Sequence, residues 1–216
     1  MGVVERKERE KKQRRKAILD AAKHVFFTKG VEEATMDDVA KAAELSKGTL
    51  YLYYKNKEDL LHGIVEKGLD ILYKMFSTAV KKADTGLDKI LAIGEAYSEF
   101  CQKETNYYKI ILHQDPVGLI SHELEEDNPC VTKCKEKGDN IFKLMREVIE
   151  GGINDGSIRP GLDPMKLAIV LWGHSTGIMH IVAKKGKVLE HMLQIDPADL
   201  LQYSYELMKS YMENKK

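Results

Sequence analysis

Residues Thr35 to Lys57 read TMDDVAKAAELSKGTLYLYYKNK, a pattern of two short helices separated by a tight turn. Thr35 is placed to accept a backbone N–H from the first helix, and Asp38, three positions on, to accept from the backbone of Thr35; this is the reciprocal arrangement of a capping box. Val39, Ala40 and Ala43 then form one small apolar face, enough for a compact pair. Ser46 is placed to cap the second helix, whose inward residues Leu50 and Tyr54 are four apart. Lys47, Gly48, Thr49, Tyr51, Leu52 and Tyr53 are left on or beside the outer surface, a tyrosine-rich face unusual for a purely solvated helix.

Upstream, Ile18, Ala21, Ala22, Val25 and Phe26 recur at helical spacing, which predicts a helix from about Arg14 to Lys29 whose apolar stripe covers the pair. Gly30 supplies its left-handed stop. Three helices preceded by a basic segment fit a helix-turn-helix DNA-binding module better than any other small helical unit. At this point the chain resembles the TetR (tetracycline-repressor) family of bacterial transcription regulators. The resemblance runs through Ile18-Leu19, Ala21-Ala22, Phe26, Gly30, Thr35, Asp38-Val39-Ala40 and Ala43, then Ser46 to Tyr51, Tyr53-Tyr54 and Lys57. It departs at Glu44, where the family usually has glycine in the turn; a positive φ there carries a modest steric cost for a residue with a side chain.

Composition sets the outer bounds. A chain of 216 residues, 43% apolar and 31% charged, makes one large or two small domains of a soluble globular protein. With no segment read as long and apolar enough to span a membrane, and no apolar core behind the charged N-terminus, the expected location is cytoplasmic. The net charge is zero, yet residues 1–57 hold 14 Lys and Arg against 9 Asp and Glu. Nearly all of that surplus lies in the first sixteen residues, where a DNA-binding module needs it. The three cysteines, Cys101, Cys130 and Cys134, are too few for a disulfide framework. Cys130 and Cys134 share a helix face at a spacing of four, but no His lies at short metal-ligand distance, so they read as helix-surface or partly buried thiols rather than a metal or redox site.

Beyond Lys57 the pattern is helix after helix, which predicts an all-α fold. Asn56 caps a helix running to about Lys82, with Leu60, Leu61, Ile64, Val65, Leu69, Leu72 and Phe76 available for burial. Asp115-Pro116, Asn128-Pro129, Asp163-Pro164 and Asp196-Pro197 each mark a helix start, pairing a capping side chain with a proline whose missing N–H is harmless in the first turn. Gly151-Gly152, Asn154-Asp155-Gly156 and Pro160-Gly161 break the chain between two helices. The acidic run Glu123 to Asp127 reads as a solvated loop face. The helix from Asp163 is apolar nearly all round, and the one from about Ala198 has two sticky faces: Leu201, Ser204, Tyr205, Met208 and Met212, and Leu200, Tyr203, Leu207 and Tyr211. Periodicity alone fits either a second subunit or intramolecular core; the resemblance implies a dimeric four-helix bundle.

One motif competes. Gly173-His174-Ser175-Thr176-Gly177 matches the G-x-S-x-G nucleophile elbow of α/β-hydrolases. That motif needs a strand-to-helix turn, whereas this one lies inside a predicted helix, so a serine hydrolase is the weaker alternative, as is a helical interaction protein that binds no DNA. Neither catalytic residues nor a metal or cofactor is expected. Tyr97, Phe100, Cys101, Tyr107, Tyr108, His113, Trp172 and His174 have the composition of an apolar pocket with a few polar groups, and equally of plain core.

Taken together, the expected protein is a homodimeric, ligand-responsive transcription repressor, released from its operator by a small hydrophobic ligand. Residues 1–56 form a basic arm and helix-turn-helix domain; residues 57–216 form a helical effector-binding and dimerisation domain that takes a small hydrophobic effector. Carried over residue by residue, the resemblance implies that Lys47, Gly48, Tyr51 and Leu52 face base edges of a pseudo-palindromic operator, and that Thr35, Thr49, Tyr53 and Lys57 hold phosphates. Val39, Ala40, Ala43, Leu50 and Tyr54 are scaffold. The residue chemistry agrees: Lys47 donates to guanine acceptors, Tyr51 lies against a thymine methyl, and hydroxyls near a helix N-terminus suit phosphate oxygens.

Overall fold

Local side-chain capping decides where most of the helices begin. In the computed structural model, which describes residues 2–114 and 129–215, the elements are α1 (Val3–Lys29), α2 (Met36–Ala42), α3 (Lys47–Tyr51), α4 (Lys57–Val80), α5 (Gly86–Lys103), α6 (Thr105–Gln114), α7 (Pro129–Asn154), α8 (Pro164–Met192) and α9 (Pro197–Met212). Among the described residues there is no strand, only one isolated bridge between Ile158 and Glu213. Asp163 accepts from the backbone N–H of Lys166 at 2.9 Å and Asp196 from that of Ala198 at 2.7 Å, each followed by proline in the first turn. The expected signals at Asp115-Pro116 and Glu123 to Asp127 lie outside the described residues, as does Asn128 ahead of α7.

Three expectations are corrected. The first helix starts at Val3 rather than near Arg14. Its first turns carry no apolar period, but Glu, Lys, Arg and Gln are strong helix formers, and Arg6 pairs with Glu10 one turn on at 3.4 Å. Gly151-Gly152 does not break the chain, since α7 continues to Asn154. Gly152 is a packing residue instead: a Cβ on Gly86, at the start of α5, would lie 2.2 Å from its Cα. The break comes at Gly156 and Gly161, both at positive φ (76° and 85°). Gly30 does end α1, with φ 85° and ψ 160°, an extended positive-φ geometry rather than the left-handed helical one.

The chain divides into two compact units. One comprises the residues through Lys67 with the first turns of α7 through Cys134; the other holds the rest of α4 and α7 with α5, α6, α8 and α9. In the first, Ile18, Ala22, Val25 and Phe26 of α1 are buried together with Val39, Ala40, Leu50, Tyr54, Leu60, Leu61 and Ile64. Close approach of α1 and α4 requires glycine at 63, where a Cβ would meet Leu19 Cδ1 at 2.8 Å. In the second, the buried residues include Leu72, Phe76, Ile93, Phe100, Ile141, Ile149, Ile158, Trp172 and Met212. The α7–α8 loop caps α5 in that unit: Gly86 N donates to Asp155 Oδ2 at 2.8 Å and Leu87 N to Ser157 Oγ at 3.0 Å.

By length and composition α8 is apolar enough to cross a membrane, contrary to the reading that no segment is. Its apolarity is shared between side chains buried in its unit (Leu167, Ala168, Trp172, Met179, Leu189) and an exposed set (Ile169, Val170, Ile181, Val188).

Candidate DNA-binding surface and effector cavity

The helix pair is held by its own side chains. Asp38 N donates to Thr35 Oγ1 at 3.2 Å, while Thr35 N and its hydroxyl donate to Asp38 Oδ2 at 3.1 and 2.8 Å. The Lys29 ammonium bonds the other Asp38 oxygen and, with the bonds from Thr35, holds that carboxyl at a pKa of about 2. The turn that follows is a Schellman motif: Leu45 N donates to Ala40 O at 2.9 Å, Glu44 N to Lys41 O at 3.2 Å, and Glu44 stands at φ 54°. This is the position where the sequence lacks the family's glycine.

Helix α3 is capped by Ser46, whose Oγ accepts from Thr49 N at 3.1 Å. Leu50 and Tyr54 are buried under it, with Val39 and Ala40 facing from α2 and Ala43 half-buried at the α2 C-cap. On the outside, Tyr51 is 44% and Leu52 80% exposed. Nothing crowds the Cα of Gly48, so a DNA backbone or base edge can come close. Lys47 is exposed, but its ammonium lies 2.7 Å from Asp37 Oδ1, a bond that raises its pKa. Thr49 shares its hydroxyl with Ser46 Oγ at 2.8 Å. Lys47, Gly48, Tyr51 and Leu52 thus belong to one short helix and its C-cap, with Thr35, Thr49 and Tyr53 in the same helix-turn-helix segment.

Lys57 has a different first duty. Its ammonium donates to the carbonyls of Val31 at 2.9 Å, Ala34 at 3.2 Å and Glu32 at 3.5 Å, tying down the α1–α2 connection. Sequence reasoning also missed Arg15. Its guanidinium donates to the Tyr53 carbonyl at 3.0 Å and lies 4.6 Å over the Tyr54 ring, while the Tyr54 hydroxyl donates back to the Arg15 carbonyl at 3.3 Å. The end of α3 is therefore pinned to α1. The thiol of Cys134 is buried, donates to the His62 carbonyl at 3.1 Å, and is pushed up to a pKa of about 12 by burial. Among the described residues no group of His, Cys, Asp and Glu could hold a metal.

The second unit contains an apolar cavity of about 40 Å³ walled by Phe76 of α4, Ile90, Ile93, Gly94 and Tyr97 of α5, Met145 of α7, Leu171, Trp172, His174 and Ser175 of α8, and Ser204, Tyr205, Met208 and Met212 of α9. Of the expected pocket residues it takes in Tyr97, Trp172 and His174. Phe100 and Tyr108 line a smaller hollow that shares Tyr97 and Trp172. Cys101, Tyr107 and His113 line neither: Cys101 is buried with its thiol pushed up to about 12, Tyr107 packs beneath Gly68, and His113 is exposed on α6. The α9 contribution was legible only as one of two sticky faces, because which face turns inward depends on distant packing.

Polar groups around the cavity are satisfied mostly by each other. Tyr97 Oη and Thr176 Oγ1 are 3.0 Å apart, His174 Nε2 and Ser204 Oγ 2.6 Å, and the Tyr205 hydroxyl donates to the Gly94 carbonyl at 2.7 Å while lying 2.7 Å from Ser98 Oγ. Burial lowers the pKa of His174, disfavouring its charged form. The Tyr108 hydroxyl is buried with no partner among the described residues, a cost of about 1–3 kcal/mol that a hydrogen-bonding ligand atom would remove. Ser175 sits in mid-helix, with Gly173 and Gly177 inside α8 as well. No strand-to-helix turn projects its hydroxyl, and the neighbouring imidazole is bonded to Ser204 instead, so the nucleophile-elbow reading fails.

A short capped helix with an open outer face, pinned by its neighbours beside a basic helix, defines a helix-turn-helix DNA-binding protein. The model for bacterial regulatory proteins of the tetR family matches residues 18–64. The HTH-type transcriptional regulator YhgD of Bacillus subtilis is 30% identical over 159 residues, 73% of this chain and 78% of that one. The HTH-type transcriptional repressor KstR2 of Mycolicibacterium smegmatis is 27% identical over 150 residues, 69% and 70% of the two chains. The structure of the transcriptional regulator FadR from Bacillus subtilis in complex with stearoyl-CoA shares the fold, with a TM-score of 0.65 at 21% identity over 91% of this chain and 98% of that one. The chain belongs to the TetR family of transcription regulators and is a DNA-binding regulator.

Proposed function

We propose that the protein is a cytoplasmic homodimeric repressor released from a pseudo-palindromic operator by a mostly apolar ligand. In this reading residues 1–56 bind DNA and residues 57–216 bind the effector and dimerise. The observation that carries it is the division of labour on α9: Ser204, Tyr205, Met208 and Met212 wall the cavity, whereas Tyr203, Leu207 and Tyr211 are 66%, 50% and 51% exposed. With Ile169, Val170 and Ile181 of α8, also exposed, these make an apolar surface that a second copy would cover. A ligand entering the cavity therefore displaces residues of a helix whose other side faces the partner.

At about 40 Å³ the cavity holds little more than a water or two, far below the roughly 300–1,000 Å³ of a drug-sized site. Binding must expand it, and Met145, Met208 and Met212 are unbranched, readily repacked walls. No Lys or Arg lines the cavity, so the part of the ligand held there is uncharged: a hydrocarbon chain or ring with one or two hydrogen-bonding atoms for His174 or Ser175, or for Tyr108 where it reaches the smaller hollow beyond Tyr97 and Trp172. Stearoyl-CoA on FadR offers such a chain. Phe76 of the cavity wall and Lys57 of the DNA-binding unit are both on α4, the element through which the proposed coupling runs; about 1–3 kcal/mol would change operator affinity 5- to 150-fold.

In this proposal Lys47, Gly48, Tyr51 and Leu52 meet base edges, and Thr35, Thr49 and Tyr53 approach phosphates. Lys57 does so only by giving up carbonyl bonds. The test is to enrich bound DNA from a genomic fragment pool, then titrate long-chain acyl compounds and neutral lipophiles against the complex. Release by compounds that also raise the melting temperature, abolished in Ser175→Leu, is expected; stabilisers that leave operator affinity unchanged would overturn the coupling.

A further inference from the structure

The face of α1 that packs on the helix pair carries Ile18, Ala22 and Val25, all buried. Counting back from Ile18 by four, seven and eleven positions stays on that face and reaches Arg14, Lys11 and Lys7. The same side of one helix thus turns from apolar to cationic where it leaves the core. These three residues, with Glu10, border an open groove whose other wall is Leu52 and Tyr53, just past the end of α3. Glu10 is paired with Arg6 at 3.4 Å on the same helix, and the helical period puts Glu5 and Glu8 on other faces. Lys7, Lys11 and Arg14 are exposed and have no ion-pair partner among the described residues. A face needed only for solubility would mix both signs.

We propose that Lys7, Lys11 and Arg14 form a phosphate-binding strip, a helical continuation of the recognition surface that grips the DNA backbone flanking the bases met by α3. The assignment rests on the reading of the α3 end as the base-reading surface. Arg15, bonded to Tyr53 and stacked on Tyr54, fixes the strip to the end of α3. From Lys7 to Arg14 the helix rises about 10 Å, the length of roughly three base-pair steps. The strip carries affinity and footprint length, not sequence preference.

The experiment compares the full-length chain with Lys7→Ala/Lys11→Ala/Arg14→Ala on duplexes enriched by the wild type and on a random duplex. Melting temperature and base preference should be unchanged. The slope of log affinity against log salt should fall by about 0.9 for each phosphate that the variant no longer neutralises, both duplexes should weaken by the same factor, and the hydroxyl-radical footprint should shorten by about three base pairs at each outer edge. An unchanged slope and footprint overturns the strip while leaving the regulator reading intact. So does weakening confined to the enriched sequence, or, with phosphatidylserine vesicles as a third substrate, a variant that loses vesicle binding shown by the wild type while its DNA binding is untouched. A wild-type chain that enriches no sequence overturns both readings.

Discussion

Lys47 and Asp37 are joined by an ion pair of 2.7 Å, so the first residue of the recognition helix is held by the second residue of the helix before it. The cation expected to meet a base edge is oriented, and partly neutralised, before DNA arrives. Both side chains are more than half exposed, 57% and 66%, and the pair contributes little to stability.

Asp37→Asn should therefore leave the melting transition within about 0.5 kcal/mol of wild type and raise affinity for random duplex by about 1 kcal/mol, narrowing the gap to the operator. Fluorescence anisotropy on both duplexes measures it. Equal affinity of variant and wild type for random DNA would show that the pair does not restrain Lys47.

Tyr51 and Lys57 should separate reading from scaffolding. Tyr51→Ala should cost about 1–3 kcal/mol on the operator and relax preference at one base pair, with little change in stability. Lys57→Ala leaves three carbonyls of the α1–α2 connection without their cation and should lower stability by about 1 kcal/mol. Denaturation and a base-substitution panel on both variants check the split; the reverse pattern would exchange their roles.

Asp38 predicts an acid limb. Its pKa is lowered from 3.8 to about 2 chiefly by Lys29, then Thr35. The contribution is complete above about pH 5, begins to fall near 3.8 and is gone once pH drops through about 2. In Lys29→Met the carboxyl should titrate closer to its ordinary value, as followed by NMR of the Asp38 side chain. Identical titration curves in the two proteins would remove Lys29 as the cause.

Glu44 occupies φ 54°. Glu44→Gly removes a left-handed penalty of about 1–2 kcal/mol and adds about 0.5–1 kcal/mol of unfolded-state entropy, for a net gain of about 0.5–1 kcal/mol. A lower melting temperature would mean the Glu44 side chain makes a favourable interaction that outweighs its backbone strain.

What the sequence disclosed is mostly local. The bonds of Thr35, Ser46, Asp163 and Asp196 to backbone within three residues need no tertiary information, and their spacing identified four helix starts and the helix-turn-helix itself. The extension of α1 to Val3 was hidden because charged helix formers carry no periodic apolar mark. The cavity was read in part, through Tyr97, Trp172 and His174. Gly94 and Met145 look ordinary until α9 is laid against α5, where a Cβ on Gly94 would press on Tyr205 at 2.9 Å. Lys57 was read by its type and position, and only the fold shows the three carbonyls around its ammonium.

The meeting of Gly86 and Gly152 has a mechanical consequence. Two backbones in direct contact, with no side chain between them, can swivel about the point but cannot part without leaving a void. The cavity walls contributed by α5 and α7, Ile90, Ile93, Tyr97 and Met145, all lie away from that point along their helices. The proposed expansion of the cavity would then be a scissor motion, widening toward Tyr97 and least at the glycines. An alanine at Gly86, whose Cβ would lie 2.2 Å from the Gly152 backbone, would prop the blades apart at the rivet and shift the resting width of the cavity before any ligand is bound, whereas one at Gly152 would press first on the Ile158 side chain at 2.5 Å.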